Sequence, residues 1–344
     1  MRFGIIGAGY IGPINTGALM EVPGAEIAAA ANRTAEKADA MCEALGLTCP
    51  VYSDYKEMIE KEELDAVVIN VFNDLHKDYF IYCAGKGLHI LIEKPLANTY
   101  EDCLLMEAAA DKHHIRASVL QTQRYGAVLE TAKKYIDEHK AELGRLCGIN
   151  DSISCNYFWD GRNPWHLDNV RSGGGIVLNY GVHQLDRTHY FLNEKTADFH
   201  ARYLMEKPGI GTYSSYFMMG TGESGIPYTI ECNGYCGPSV NEMFFYFQNA
   251  TVAARLSGDG TAKRGVFATD RETGAFAEVP LCCDDGESAH EMYVREMKEA
   301  FEYLNGERNK APVPLSWGAE MVRLCESGFG KQGARAVRTD LTKF

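Results

Sequence analysis

The 344-residue sequence lacks an apolar run long enough to span a membrane. It also has fewer basic than acidic residues, with 34 Lys and Arg against 47 Asp and Glu. A membrane helix needs about 20 consecutive apolar residues, and the chain begins with a strand-like segment instead of a charged and then apolar signal. The formal net charge of -13 opposes binding to nucleic acid or to an anionic membrane surface. These absences predict a cytoplasmic protein whose ligands are small molecules.

Cysteine spacing supports neither a metal site nor a disulfide framework. The eleven cysteines are an odd number scattered along the chain, whereas disulfide scaffolds are short secreted chains with paired cysteines. Cys232 and Cys236 form one C-x-x-x-C pair, and the sequence has no second pair at zinc-site spacing. We therefore expect no metal ion and expect most cysteines to be small core residues.

Residues 7–12 read Gly-x-Gly-x-x-Gly, directly after an apolar strand and before a helical segment. In such a loop Gly7 permits a tight turn, Gly9 lets the backbone approach phosphates, and Gly12 lets helix and strand pack closely. Free N–H groups at the helix N terminus then face the pyrophosphate. The spacing also suits a simple glycine-rich turn, but its placement after the first strand indicates an NAD-type cofactor.

The order of apolar segments predicts two domains. One core rarely grows beyond about 250 to 300 residues, and this chain is longer. Buried strands alternate with helices over 1–125, which predicts an α/β domain with a Rossmann-type, doubly wound parallel sheet that binds the dinucleotide. Runs rich in β-branched and aromatic residues follow, which predicts an α+β domain at 126–344 with a large, mostly antiparallel open sheet.

The residues after the second strand bear on the choice between NAD and NADP. A carboxylate there accepts hydrogen bonds from the ribose 2′-OH and repels a 2′-phosphate, whereas arginine binds that phosphate. Asn32-Arg33-Thr34 occupies this place, without Asp or Glu. We predict a preference for NADP, with NAD also accepted; the alternative is that Arg33 merely faces solvent.

Glu93-Lys94-Pro95 follows another buried strand of the same predicted sheet. Sheets of this kind bind ligands beyond the carboxyl ends of their strands, where substrate and nicotinamide would meet. The ammonium of Lys94 can hydrogen-bond a substrate oxygen and stabilise the charge that builds on it during hydride transfer. Pro95 keeps the preceding backbone out of the helical conformation. The alternative is an ordinary solvated lysine.

Gly173-Gly174-Gly175 leads into a helical segment in which Asn179 and His183 are four residues apart and share a helix face. A histidine titrates near neutral pH and can take the proton of an alcohol. Asn179 cannot accept a proton in this way and would orient hydroxyl groups. The alternative is a packed core histidine.

Together these motifs resemble the Gfo/Idh/MocA oxidoreductases, the family of glucose-fructose oxidoreductase and inositol dehydrogenase. The resemblance spans nearly the whole chain and rests on residues 7–12, 71–76 (Val-Phe-Asn-Asp-Leu-His), 93–96 (Glu-Lys-Pro-Leu) and 173–186. It implies a cis Lys94–Pro95 bond and His183 as proton acceptor, although the family commonly has Asp at the position of Asn179. It also implies packing of sheets across subunits, and hence a homo-oligomer such as a dimer or tetramer.

The resemblance adds further candidates near the cofactor. Asn73 and His76 resemble the family's Asn-x-x-His turn beside the nicotinamide ribose, although Asn73 equally suits a helix cap. Gln123 and Arg124 resemble the segment where the chain leaves the first domain, and Arg124 also suits an interdomain ion pair. The predicted cofactor-binding residues are Gly7, Gly9, Tyr10, Ile11, Gly12, Asn32, Arg33, Thr34, Asn73, His76, Glu93, Lys94, Gln123 and Arg124.

An aromatic and polar segment lies just before residue 173. Aromatic faces mixed with polar heads suit a sugar or polyol, and they equally suit a core or a subunit contact. The predicted substrate-binding residues are Lys94, Tyr157, Trp159, Arg162, Trp165, His166, Asn179 and His183.

The sequence thus predicts an NAD(P)-dependent oxidoreductase acting on a secondary alcohol of a sugar, inositol or sugar derivative. Lys94, His183 and Asn179 are its predicted catalytic residues. One alternative is a glycosidase that oxidises its sugar transiently, eliminates the aglycone and returns the hydride, as some members of the family do. Another is a dinucleotide-binding regulator without catalytic activity.

Overall fold

The computed structural model describes residues 1–205, 210–257, 263–270, 272–283 and 289–329, with the backbone alone at 236–238. The chain divides into two compact units. Unit 1 comprises Met1–Thr122 and Asp285–Val322, and unit 2 comprises Gln123–Asp284 and Arg323–Phe344. This division differs from the predicted domains, because residues 285–322 group with unit 1 and not with the second domain.

Unit 1 contains a parallel sheet with helices between its strands. The strands are β1 (Arg2–Ile6), β2 (Glu26–Ala31), β3 (Val51–Tyr52), β4 (Ala66–Ile69), β5 (His89–Glu93) and β6 (Ala117–Leu120). The helices are α1 (Ile11–Met20), α2 (Ala35–Ala44), α3 (Tyr55–Lys61), α4 (His76–Gly85) and α5 (Tyr100–His113). The strand order β3-β2-β1-β4-β5-β6 confirms the predicted Rossmann-type sheet. Only β3 was not predicted, because two residues carry no pattern.

Unit 2 contains a second sheet of eight strands. These are β7 (Leu146–Asn156), β8 (Thr196–Leu204), β9 (Ser215–Gly222), β10 (Pro227–Asn233), β11 (Tyr235–Phe247), β12 (Thr251–Ser257), β13 (Gly265–Thr269) and β14 (Phe276–Val279). Their order is β14-β13-β12-β11-β7-β10-β9-β8. Neighbours are antiparallel except β10 and β7, which confirms the predicted mostly antiparallel sheet. The exposed strand β14 was not predicted, because it shows no alternation of burial.

Helices cover one face of this second sheet. The described residues of unit 2 include the helices α6 (Ala127–Glu138), α7 (Lys140–Leu143) and α8 (Val182–Leu192). Helix α6 packs against β12 and β13, and α8 packs against β7 and β10. Along β9, buried Tyr216 and Met218 alternate with Phe217 and Met219, whose exposed fractions are 47% and 54%. The other face therefore leaves apolar side chains uncovered.

Two later helices, α9 (His290–Leu304) and α10 (Leu315–Ser327), complete the described chain. Helix α9 packs along α1, and its Met297 and Phe301 join the core cluster around Phe3. The ring centroids of Phe3 and Phe301 are 6.2 Å apart. The amphipathic pattern of α9 was sufficient to predict a helix, but not the sheet that it covers. None of the helices in the described residues combines the length and hydropathy that a bilayer crossing requires.

Candidate functional site

The glycine loop connects β1 to α1 at the carboxyl end of the strand. Gly7 has φ +102°, and a Cβ there would lie 2.5 Å from the carbonyl oxygen of Asn70. A Cβ on Gly12 would lie 2.4 Å from the carbonyl oxygen of Gly7, whereas one on Gly9 would meet no described atom within 4 Å. Gly7 and Gly12 are thus required by the fold, while Gly9 faces open space. This arrangement fits a pyrophosphate that approaches the backbone at Gly9.

The remaining loop residues lie at the start of α1. The side chain of Tyr10 is 90% exposed, and Ile11 is the first residue of the helix. The first N–H groups of a helix have no partner within the helix. They are available to an anion at this position, although contacts of Tyr10 and Ile11 with a cofactor stay a prediction.

The turn after β2 is organised by the side chain of Asn32. Its Oδ1 accepts a hydrogen bond from the N–H of Ala8 at 3.1 Å, and its Nδ2 donates to the carbonyl of Thr34 at 2.8 Å. Arg33 and Thr34 are exposed. Burial raises the pKa of Tyr79 on α4, and the nearby charge of Arg33 opposes this shift. Asn32 therefore braces the glycine loop, and Arg33 is the exposed cation of this turn.

Lys94 follows a buried carboxyl group at the end of β5. The Oε1 of Glu93 accepts a hydrogen bond from Asn15 Nδ2 at 2.8 Å, and its Oε2 accepts one from the N–H of Lys94 at 3.1 Å. Burial raises the pKa of Glu93, against the opposing effects of Asn15 and Lys94. The Lys94–Pro95 peptide is cis, as the resemblance implied. Asn15 was not predicted; its only signal is a polar residue on the buried face of α1.

His76 connects the turn after β4 to the segment after Lys94. Its Nδ1 lies 2.9 Å from the carbonyl oxygen of Pro95, and its Nε2 lies 3.2 Å from that of Val71. The ring is fully buried, and burial lowers its pKa. These contacts favour a positioning role for His76. Asn73 is buried in a short 3₁₀ turn just before it, and its contact with the cofactor stays a prediction.

Helix α9 contributes a buried carboxylate that sequence reasoning missed. Glu296 is 2% exposed, and its two oxygens accept hydrogen bonds from the N–H of Gln121 and, at 2.6 Å, from the hydroxyl of Thr122. These residues directly follow β6. Burial, together with the charges of Glu93 and Glu296, raises the pKa of Tyr293 on the same helix. Helix α9 therefore holds the carboxyl end of β6 in place through Glu296.

Gln123 and Arg124 belong to a buried polar network of unit 2. The Nε of Arg124 donates to both carboxylate oxygens of Asp186, at 2.9 and 3.1 Å. The Oε1 of Gln123 accepts a hydrogen bond from Arg187 Nη1 at 3.2 Å. These contacts support the ion-pair alternative for Arg124: the pair joins the two predicted domains, 1–125 and 126–344, and both of its residues lie in the observed unit 2. A role of either residue with the cofactor stays a prediction.

Asn179 and His183 lie in a helical segment that changes its winding. Residues Val177–Gly181 form a π-helical turn, and α8 begins at Val182. The predicted helical segment from Ile176 is observed, its π-helical turn was not predicted, and the shared face of Asn179 and His183 stays a prediction. Turns of this kind are rare and occur often at functional sites. His183 is half-buried in the first turn of α8.

Helix α8 is held in place by buried charges. Arg187 Nε donates to Asp151 Oδ2 on β7 at 2.6 Å, and both side chains are fully buried. Gln184 Nε2 donates to Asp151 Oδ1 at 2.6 Å. Because a buried ion pair needs good geometry and further hydrogen bonds, this network fixes the helix that carries His183.

Four predicted substrate residues come together around Tyr157, and we call them the Tyr157 cluster: Tyr157, Arg162, His166 and Asn179. The Tyr157 side chain is fully buried, and its hydroxyl accepts a hydrogen bond from Asn179 Nδ2 at 3.3 Å. The guanidinium carbon of Arg162 lies 3.6 Å from the centre of the Tyr157 ring. The His166 ring is nearly perpendicular to that ring at 6.4 Å.

The two predicted tryptophans lie beside this cluster. The Trp165 ring stacks on His166 with centroids 4.0 Å apart, and Trp159 is 50% exposed. Tyr180 approaches the Tyr157 ring edge-on at 5.6 Å and was not predicted. Within the described residues, no group of three or more His, Cys, Asp or Glu side chains is placed to hold a metal ion.

The fold and the glycine loop define the class of protein: an oxidoreductase-type chain with a Rossmann unit and an open-sheet unit. Residues 1–121 match the model described as "Oxidoreductase family, NAD-binding Rossmann fold", and residues 129–253 match "GFO/IDH/MocA C-terminal domain". The chain therefore belongs to the Gfo/Idh/MocA family of oxidoreductases.

Curated relatives are similar over part of their length. A 1,5-anhydro-D-fructose reductase of Ensifer adhaerens is 27% identical over 205 residues, which cover 57% of this chain and 58% of that protein. A myo-inositol 2-dehydrogenase of Thermotoga maritima is 26% identical over 201 residues, which cover 58% of each protein. The chain thus spans little more than half the length of the curated relatives it matches.

A solved structure supports the fold over nearly the whole chain. Levoglucosan dehydrogenase, in complex with NADH and levoglucosan, has a TM-score of 0.83 at 18% identity, with 95% of each chain covered. At this identity the likeness shows the fold alone.

Proposed function

We propose that this protein is an NAD(P)-dependent dehydrogenase or reductase acting on a secondary alcohol of a sugar, inositol or sugar derivative. The observation that carries the proposal is the glycine loop, which is crowded at Gly7 and Gly12 and open at Gly9. Such a loop fits a dinucleotide. The alcohol class is supported by the family and by the two relatives, which are named a reductase of an anhydro sugar and a dehydrogenase of an inositol.

The proposed roles of the side chains follow from their chemistry. A bound nicotinamide would supply or accept the hydride. The ammonium of Lys94 donates a hydrogen bond to the substrate oxygen and stabilises its developing negative charge. His183 takes the hydroxyl proton, and Asn179 orients neighbouring hydroxyl groups through its amide.

The test is the rate of NADH or NADPH formation over a panel of monosaccharides, inositols and anhydro sugars. Lys94→Met should lower kcat about 100- to 1000-fold, because one preorganised donor to the charged oxygen is lost. Lys112→Met, which removes an exposed lysine of α5, should leave kcat unchanged. Full turnover by Lys94→Met would contradict the assignment. Release of an aglycone from glycosides without net NAD(P)H formation would instead support the elimination reaction, which the names of the two relatives do not favour.

We also propose a preference for NADP through Arg33, with NAD accepted. The support is the exposed guanidinium at the end of β2, where Asn32 and Thr34 add no charge. Arg33→Ala should weaken NADPH binding about tenfold, a loss of about 1.4 kcal/mol, and leave NADH binding nearly unchanged. Equal effects on the two cofactors would show that Arg33 does not contact the 2′-phosphate.

We further propose that the protein is a homo-oligomer that pairs through the open face of the eight-stranded sheet. The support is the exposure of Phe217 and Met219 on adjacent positions of this face, because large apolar patches mark interaction sites. Met219→Glu should shift the mass measured by light scattering toward the monomer. An unchanged mass, or a monomeric wild type, would contradict this interface.

A further inference from the structure

Arg162 is a half-buried cation for which the described residues supply no carboxylate. Its guanidinium stacks on the Tyr157 ring at 3.6 Å, and its Nε is buried with no hydrogen-bond partner among those residues. A side-chain hydrogen bond also joins Arg162 and Tyr157. Stacking on an aromatic face orients a guanidinium, and its several N–H donors lie in the guanidinium plane, where a ligand can meet them. Because burying a charge is costly unless it is paired, this arrangement is suited to an incoming anion.

The positive charge of Arg162 acts on the pKa values of the neighbouring side chains. A hydrogen bond with Cys232 lowers the pKa of the Cys155 thiol, and the charge of Arg162 adds to this effect against the opposing effect of burial. Burial raises the pKa of Tyr157, and Arg162 again opposes the shift. Both effects have the sign that favours negative charge at this place. The groups found around it are the phenols of Tyr157 and Tyr180, the thiol of Cys155, the ring of His166 and the amide of Asn179, and none of these is a carboxylate.

We propose that the substrate is an anionic polyol, a sugar acid, whose carboxylate is bound by the guanidinium of Arg162 in the Tyr157 cluster. This inference rests on the function proposed above and names the class of substrate. Arginine presents a planar fork of donors that binds a carboxylate through two parallel hydrogen bonds. One guanidinium matches the single charge of a carboxylate. A phosphate ester offers related chemistry and forms the second arm of the test.

The test measures binding and turnover with matched ligands that differ in charge. D-glucuronate is compared with D-glucose, D-galacturonate with D-galactose, and glucose 6-phosphate represents the phosphate esters. Calorimetry on the NADH-loaded protein gives affinities without turnover, and initial rates with NAD(P)⁺ give KM and kcat. We expect at least one acid to bind about tenfold or more tightly than its neutral partner, and glucose 6-phosphate to show a smaller gain.

Variants of Arg162 show whether this residue binds the acid or only packs against Tyr157. Arg162→Gln should abolish the preference for the acid through KM, with kcat nearly unchanged, and Arg162→Lys should retain part of it because the charge stays. Arg145→Gln removes an exposed arginine just before β7 and should keep the full preference. Melting temperatures show whether each variant is folded, and Arg162→Lys serves as the test if Arg162→Gln is not.

Two results would overturn the proposal: no acid preferred over its neutral partner by the wild type, or equal weakening of acid and neutral ligand by Arg162→Gln. A larger preference for glucose 6-phosphate would overturn the carboxylate assignment. Failure of the anion-site proposal can be told apart from failure of the proposed dehydrogenase function. Arg162-dependent binding of acids without turnover would contradict the dehydrogenase, whereas turnover of neutral polyols without acid preference would contradict only the anion site.

Discussion

The glycine loop of unit 1 and the Tyr157 cluster of unit 2 are candidate ligand sites of opposite construction. In the loop, side chains are excluded, since a Cβ on Gly12 would lie 2.4 Å from a carbonyl oxygen. In the cluster, the ring of Tyr157, the guanidinium of Arg162 and the amide of Asn179 form the site. A backbone site suits a ligand that many proteins share, whereas a side-chain site can change with each substrate. The first should therefore determine cofactor binding and the second substrate choice.

The largest expected effect is on kcat, upon substitution of His183. It would show that unit 2 determines turnover separately from cofactor binding. His183→Gln removes the proposed proton acceptor and should lower kcat about 10²- to 10⁴-fold, while the Kd for the cofactor stays unchanged. Steady-state rates and a fluorescence titration with NADPH measure the two quantities. His113→Gln, which changes an exposed histidine of α5, is the control. A kcat close to that of the wild type would remove His183 from the mechanism.

The buried charges of unit 2 should dominate its stability. Arg187→Met leaves Asp151 buried without its partner and should lower the free energy of unfolding by about 3 to 5 kcal/mol. Lys61→Met breaks the exposed pair with Glu57 on α3 and should cost about 0.5 kcal/mol or less. Urea denaturation followed by circular dichroism compares them. Similar losses for the two variants would show that the buried network adds nothing beyond a surface pair.

Substitutions in the glycine loop should distinguish effects on the stability of the fold from effects on cofactor affinity. Gly9→Ala adds a methyl group into open space, so stability should change by less than about 0.5 kcal/mol, while cofactor affinity falls about tenfold. Gly12→Ala should lower both, because its Cβ meets backbone. Gly85→Ala, also without neighbours at its Cβ, is the control. Unchanged NADPH affinity in Gly9→Ala would place the pyrophosphate elsewhere.

The smallest effect is a pH dependence from Glu93. Burial raises its pKa above the ordinary 4.5, so the folded protein retains a proton that the unfolded chain releases. The stability from this group is fully present below the ordinary pKa and is lost as pH rises through the raised value. The slope for one proton is at most about 1.4 kcal/mol per pH unit.

Glu93→Gln should therefore lose less stability than the wild type as the pH rises from the ordinary pKa toward neutrality. Chemical denaturation at several pH values measures the difference. Glu43→Gln, at an exposed position of α2, should follow the wild type. Parallel curves for wild type and Glu93→Gln would mean that Glu93 titrates normally in the folded state.

The contrast between the two regions also explains what the sequence could predict. The strands of unit 1 and the glycine loop follow from short patterns, because burial and turn geometry are encoded by neighbouring residues. The partner of a buried polar group is not encoded locally. Asn15 contacts Glu93, and Glu296 binds the backbone of Gln121, through pairs far apart in sequence. Such contacts become visible only when the chain is folded.

The Tyr157 cluster illustrates an intermediate case. Its residue types were predicted from composition, but the position of Arg162 over the Tyr157 ring depends on the path of the intervening loop. The π-helical turn at Val177–Gly181 was missed, because an extra residue in a helical turn leaves the apolar spacing nearly unchanged. Residue types therefore indicated which groups take part, and the fold determined which of them meet.

The discontinuity of unit 1 has a consequence for biosynthesis. Chains fold from the N terminus as they leave the ribosome, and the first segment of unit 2, Gln123–Asp284, is encoded between the two segments of unit 1. The six strands emerge early, but Met297 and Phe301, which complete their hydrophobic cluster, are translated near the end. Part of the interior of unit 1 therefore stays uncovered in the nascent chain until the first segment of unit 2 has been synthesised.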